Sequence, residues 1–384
     1  MNFDQVIDRR NTESVKWNWY DEDVLPMWVA DMDFRSPEPV IEALKARVAH
    51  GVFGYGWPPE ELKSAIQVHL AQRQGWEVAA EEIDFISGVV TGFNHAIYSL
   101  TEPGDKVMIQ TPVYPPFLSA SEQAGRERVI NPLVRRPDGK YEIDFEDFEA
   151  QVASGVKLFI LCSPHNPVGR VFTREELTRM AEICLAHDVL ICSDEIHADL
   201  VFKGTIHIPI ASLSPEIAAK TVTYFAPSKT FNVAGLSTSV YVTQSEEIRG
   251  RLQHSMTMLL GHPNILGTQA ALAAYRDGQE WLDEVLVYLE SNRDFLVDFV
   301  CSELPGVSIW KPEGTYLAWL DCRELGLPVS PHKYFLDKAK VGLNDGADFG
   351  AEGERFVRLN FGCPRSILVE GLERMKAALA GNKG

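Results

Sequence analysis

VKLFILCSPHNPVGRVFTREELTRMAEICLAHDVLICSDEIHADL, residues 156–200, carries the pattern on which the fold turns. Two short, continuously apolar runs, VKLFILCSP (156–164) and VLICSDEI (189–196), flank a segment of helical period. Such runs suit strands buried on both faces of a parallel sheet. Between them Thr173 and Glu176 form a capping-box pattern. Leu177, Met180, Ala181, Cys184 and Leu185 then recur at helical spacing. Strand, helix and strand in this order predict a βαβ unit.

Outward from this unit the pattern repeats. KVMIQTP (106–112), after the turn signal Pro103-Gly104-Asp105, reads as a further strand, as do TVTYFAPS (221–228) and STSVYVT (237–243). From Asn264 to Leu304 the chain is charged and helix-prone, the expected spine between two domains. GTYLAWLDC (314–322) and RFVRLNF (355–361) read as strands of a smaller C-terminal domain, against which the segment up to Phe34 is expected to pack. The reading is an α/β chain with a large domain at 35–285, a mostly parallel sheet flanked by helices. Residues 1–34 and 286–384 make a smaller α+β domain.

Composition narrows the function. Of 384 residues, 36 are basic and 54 acidic, a formal net charge of −18. Phosphate backbones demand basic patches, so a general nucleic-acid binder is excluded. No run approaches the roughly 18 apolar residues of a membrane span. The N-terminal stretch lacks the apolar core of a signal peptide. Cys162, Cys184, Cys192, Cys301, Cys322 and Cys363 form no CxxC pair and no zinc-finger spacing. They are expected to be buried, reduced thiols of a cytoplasmic protein, and no metal site is expected.

In open α/β sheets, reacting groups gather at the carboxyl ends of strands. Asn166 follows the first run of the βαβ unit, Asp194 ends the second, and Lys229 follows the 221–228 run. Each alone has a bland explanation: a turn, a helix cap, a solvated lysine. Together they match the needs of pyridoxal-5′-phosphate (PLP) chemistry. An amine must bond the cofactor, a carboxylate must keep the pyridine nitrogen protonated, and a neutral donor must face the phenolic oxygen. A helix N-terminus should receive the phosphate. In ISGVVTGFNHAIYSL (86–100), Gly88 and Gly92 bracket a turn opening a helix, with the N–H groups of Val89 and Val90 as candidates.

On SPHNPVGR, SDEIHADL, SKTFNVAGL and FVRLNFGCPR, the chain resembles fold-type I PLP enzymes of the class I/II aminotransferase superfamily. WVADMDF (28–34), HGVFGYGWP (50–58) and TPVYPPF (111–117) make it most similar to the MalY/PatB-type C–S lyases, or cystathionine β-lyases. The resemblance implies that Lys229 is the Schiff-base lysine, that Asp194 pairs with the pyridinium nitrogen, and that Asn166 donates to the phenolic oxygen. Tyr114 stacks on the ring and acts near the leaving group. Arg358 grips the substrate α-carboxylate, aided by the backbone at Ala30. Tyr55 reaches the phosphate of a neighbouring subunit, which implies a homodimer with shared sites. His197 stands where aminotransferases often have Tyr, Ser237 where many have a phosphate-binding arginine, and Ala226 where a hydroxyl is common. Ser228 beside the lysine is then the nearest hydroxyl for the phosphate.

The function implied is α,β-elimination from L-cystathionine or related cysteine S-conjugates, giving pyruvate, ammonia and a thiol. An aminotransferase using the same residues is the alternative; a regulator binding a transcription factor is the alternative of another class. A nicotinamide-dependent dehydrogenase would need a GxGxxG after an early strand, which is missing.

Overall fold

The computed structural model describes residues 1–381, with side chains described for all of these except 257–259. Its centre is a seven-stranded sheet: β1 Ile83–Ile86, β2 Lys106–Thr111, β3 Glu127–Pro132, β4 Val156–Cys162, β5 Leu190–Asp194, β6 Thr221–Phe225 and β7 Ser239–Val242, in the spatial order β1-β7-β6-β5-β4-β2-β3. All pairings among β2 to β6 are parallel. β7 runs antiparallel to both β1 and β6. The β-branched 237–243 stretch marked a strand, buried throughout Ser239–Val242, but not its direction, because both orientations bury the same side chains. The expected strands are confirmed in position but shorter: those read as 156–164, 189–196 and 221–228 end at Cys162, Asp194 and Phe225.

The helix between β4 and β5 spans Arg174–Ala186, with the Thr173–Glu176 capping box formed in both directions. Leu177, Met180, Ala181 and Cys184 are buried on its sheet-facing side. The spine read over 264–304 is two helices, Ile265–Asp277 and Gln279–Glu303, broken at Gly278. A Cβ on Gly278 would lie 2.4 Å from the Ala274 carbonyl oxygen and 2.8 Å from the Phe231 ring, so the junction is packed too tightly for another residue. Five of the six cysteines are buried; Cys301, on the solvent face of the second spine helix, is exposed and corrects the expectation for that thiol.

A second sheet is antiparallel and four-stranded: β8 Ser308–Ile309, β9 Leu317–Asp321, β10 Asn344–Asp345 and β11 Phe356–Asn360, in the order β8-β9-β11-β10. The N-terminal segment joins this side of the molecule. Leu25–Pro26 pairs in parallel with Val341–Gly342. Asn360 Nδ2 donates to the carbonyls of Val29 and Asp31 at 2.6 and 2.7 Å. Buried Asp33 is held by Lys16 at 2.6 Å, Arg9 at 2.7 Å and the Trp17 indole at 2.8 Å. Among the described residues no helix is long and apolar enough to cross a membrane.

Candidate active site

The carboxyl ends of β1, β2, β4, β5 and β6 open onto a cavity of about 470 Å³. Register places Asp194 level with Cys162 on one side and Tyr224 on the other. Asp194 is therefore the last strand residue before the chain leaves the sheet, and its carboxylate faces the cavity. Lys229 sits on a short helix, Pro227–Thr230, beyond β6 rather than on the strand end itself. Asn166, Tyr114, His197, Ser228, Val89 and Val90 also line the cavity, with Ala30 and Arg358 contributed from the side of the smaller sheet.

Two of these groups are buried charges without counter-charges. Asp194 accepts one hydrogen bond, from the Ile196 N–H at 3.0 Å, and no lysine, arginine or histidine among the described residues forms an ion pair with it. Burial pushes its carboxyl up to about 7. Arg358 is fixed by neutral oxygens: Asn166 Oδ1 at 3.0 Å, Asn344 Oδ1 at 2.6 Å and the Trp28 carbonyl at 3.1 Å. Its guanidinium lies 4.8 Å from the centre of the Phe349 ring, and Nε has no partner. Burial pulls it down to about 10. An isolated buried ion is costly unless a partner arrives. One cavity thus holds a place for a cation at Asp194 and for an anion at Arg358.

Lys229 Nζ donates to the Ala30 carbonyl at 2.6 Å, and the Tyr316 hydroxyl donates to the same oxygen at 2.8 Å. That carbonyl is therefore taken up by donors, and only the Ala30 N–H is available for a carboxylate. Burial, with Arg358 adding to it, lowers the Lys229 ammonium to about 8. Burial drives His197 down to about 3, so its ring is neutral, and Nδ1 has no partner. Burial raises the Tyr114 phenol, which keeps it protonated near neutrality.

The donor set fits PLP. Its aldehyde requires an amine of lowered pKa, its ring nitrogen a buried carboxylate, and its phosphate a cluster of donors. The helix Val89–Leu100 begins at the cavity wall, and its first N–H groups have no partner within the helix. Ser87, Ser228, Ser237 and Thr238 add hydroxyls around them. Gly92, expected to bracket the turn, lies inside this helix and presses on Tyr224. Tyr55 is fully exposed and is not brought to the cavity of its own chain.

The sequence pattern "Aminotransferase class I and II" matches residues 22–375. The chain belongs to this family. The cystathionine β-lyase PatB of Bacillus subtilis is 46% identical over 388 residues, covering 99% of this chain and all of that protein. The PLP-bound C–S lyase of Staphylococcus hominis superposes with a TM-score of 0.94 at 36% identity, over the whole of both chains. Cystalysin of Treponema denticola, which contains PLP, superposes with a TM-score of 0.95 at 35% identity over 99% of each chain. Family membership agrees with the fold and cofactor expected from the motifs.

Trp28, Asn344, Tyr316 and Thr238 were not singled out in the sequence. Asn344 and Arg358 are cross-strand neighbours in the β10–β11 pairing, a relation visible only once those strands are registered.

Proposed function

We infer that this protein is a PLP-dependent carbon–sulfur β-lyase acting on L-cystathionine or related cysteine S-conjugates. The cavity that buries an unpaired Asp194 and an unpaired Arg358 around the amine of Lys229 supports PLP chemistry on an amino acid, and the likeness to the cystathionine β-lyase PatB supports elimination over transamination. When bound, PLP supplies an electron-withdrawing ring that eases loss of an amino acid's α-proton.

The chain's own residues do the rest. Arg358 takes the α-carboxylate, held square to it by Asn166, Asn344 and the Trp28 carbonyl. Asp194 holds a proton at the pyridine nitrogen, and Asn166 and neutral His197 lie on the same cavity wall. Lys229 accepts the α-proton at Nζ; its lowered pKa leaves a share of the amine free near neutral pH. Tyr114, a phenol that burial raises further from its ordinary value, can give its proton to the departing sulfur. With one water consumed in hydrolysing the eliminated amino acid, the net products are pyruvate, ammonia and a thiol.

The exposed stretch Val52, Phe53, Tyr55 and Trp57 suits a face covered by a second copy, whose site would receive Tyr55. A homodimer with shared sites is part of the proposal. So is the division into 35–285 and 1–34 with 286–384, whose second boundary falls inside the helix Gln279–Glu303. The buried free thiols suit a reducing, cytoplasmic setting.

The test is incubation with L-cystathionine, measuring pyruvate and thiol with and without an added 2-oxo acid. Equal release of both without 2-oxo acid is the expected result. No pyruvate, with rapid amino exchange once the 2-oxo acid is present, would make the chain a transaminase.

A further inference from the structure

Outside the cavity, one chain of buried polar groups ends beside Lys229. His69, on the helix Glu60–Gln74, contacts Asp199 Oδ1 through Nε2 at 2.9 Å. Thr230 Oγ1 donates to Asp199 Oδ2 at 2.9 Å. All three residues are buried. Asp199 lies on the irregular segment after β5, beyond Asp194 and His197; Thr230 follows Lys229 directly and ends its short helix. One carboxylate therefore ties the segment bearing Asp194 to the helix bearing Lys229. The rings of Tyr275 and Phe231 enclose His69, with centroids 5.0 and 6.4 Å away.

Burial alone would raise the Asp199 carboxyl. His69 and the Thr230 hydroxyl outweigh it and hold the group down at about 2. The Thr230 hydroxyl thus donates to a carboxylate, a charge-assisted bond. Asp199 reaches Lys229 through the hydrogen bond from its chain neighbour Thr230, so the connection is one of position.

We propose that Thr230, Asp199 and His69 are positioning residues that set where the Lys229 amine stands, both for capture of the cofactor and for transfer of the α-proton. This rests on the lyase reading only for the second of those steps.

The experiment compares wild type, Thr230→Val and Thr230→Ser. Thr230→Val is expected to lower kcat about 10- to 100-fold, the scale of a small misplacement of a reacting group, with KM little changed. It is expected to slow, by a similar factor, the uptake of added PLP by the apoenzyme, followed by the absorbance of the Lys229 adduct. Thr230→Ser, which keeps the hydroxyl, restores both rates. The proposal is overturned if Thr230→Val keeps both rates, if Thr230→Ser is as slow as Thr230→Val, or if KM rises while kcat holds. Where Thr230→Val gives no folded protein, His69→Gln leaves the lysine's own helix intact and is read in the same way. Cofactor uptake requires no substrate, so a wild type without lyase activity leaves this test standing.

Discussion

Asp194 and Arg358 pull stability and function in opposite directions. The Asp194 carboxyl is raised from its ordinary 3.8 to about 7 in the folded chain. Well below pH 3.8 the folded and unfolded forms both carry the proton, and the group is neutral in its effect. As pH rises toward 7 the unfolded chain gives up its proton first, so the empty protein loses up to about 4 kcal/mol of stability. Asp194→Asn is therefore expected to raise the melting point of the apoenzyme at pH 8 and leave it unchanged near pH 4. The same variant should lose kcat by at least about 100-fold, because the ring nitrogen loses its carboxylate. Calorimetry of the apoenzyme beside turnover of the holoenzyme checks both halves. For Arg358→Lys, loss of the forked geometry is expected to raise KM about 10- to 100-fold. A KM near wild type would remove Arg358 from carboxylate binding. Asp194, Asn166 and Lys229 were legible because each follows an apolar run that names its own strand. Tyr316 and Asn344 were not, since their roles depend on pairing between distant segments.

At the scale of elements, the helix Val89–Leu100 is placed by one close approach. A Cβ on Gly92 would fall 2.4 Å from the Tyr224 ring, and Tyr224 is a fully buried residue of β6. Gly92→Ala must lift the helix from the sheet, at about 1–3 kcal/mol, and with it the N–H groups of Val89 and Val90. Weaker PLP binding in a fluorescence titration is the expected outcome; unchanged affinity would detach this helix from the phosphate. Thr173→Ala offers the contrast. It removes a cap worth about 1 kcal/mol from a helix lying away from the cavity, so the urea midpoint should fall while kcat holds. The capping box could be read from four letters because its chemistry is local. The break at Gly278 and the reversal of β7 could not, because packing against Phe231 and pairing with β1 decide them.

For the whole molecule, the question is whether one chain suffices. Tyr55 is fully exposed and does not line its own cavity, within an irregular stretch that also exposes Val52, Phe53 and Trp57. If a second copy covers this face, a hybrid of Tyr55→Phe and Lys229→Ala chains contains one site with both residues intact. Mixing the two variants under conditions of proven exchange should then give more activity than the sum of the parents. An active monomer by light scattering would end the idea of shared sites. The motif around Tyr55 was legible as a string, but the use proposed for it lies between molecules, where a single chain does not display it.

The pairing of Leu25–Pro26 with Val341–Gly342 bears on how the protein is made. During synthesis the first 34 residues emerge long before their partners. At ribosomal rates of about 5–20 residues per second, roughly 15–65 s separate Phe34 from Asn360. For that time Ala30 has neither the strand that anchors its segment nor the Asn360 amide that brackets it. A nascent chain halted before residue 341 already contains all seven strands of the β1–β7 sheet, with Asp194 and Lys229. It still lacks Arg358 and the partner strand of the N-terminal segment, so the side of the cavity proposed to hold the substrate carboxylate is the last to be made.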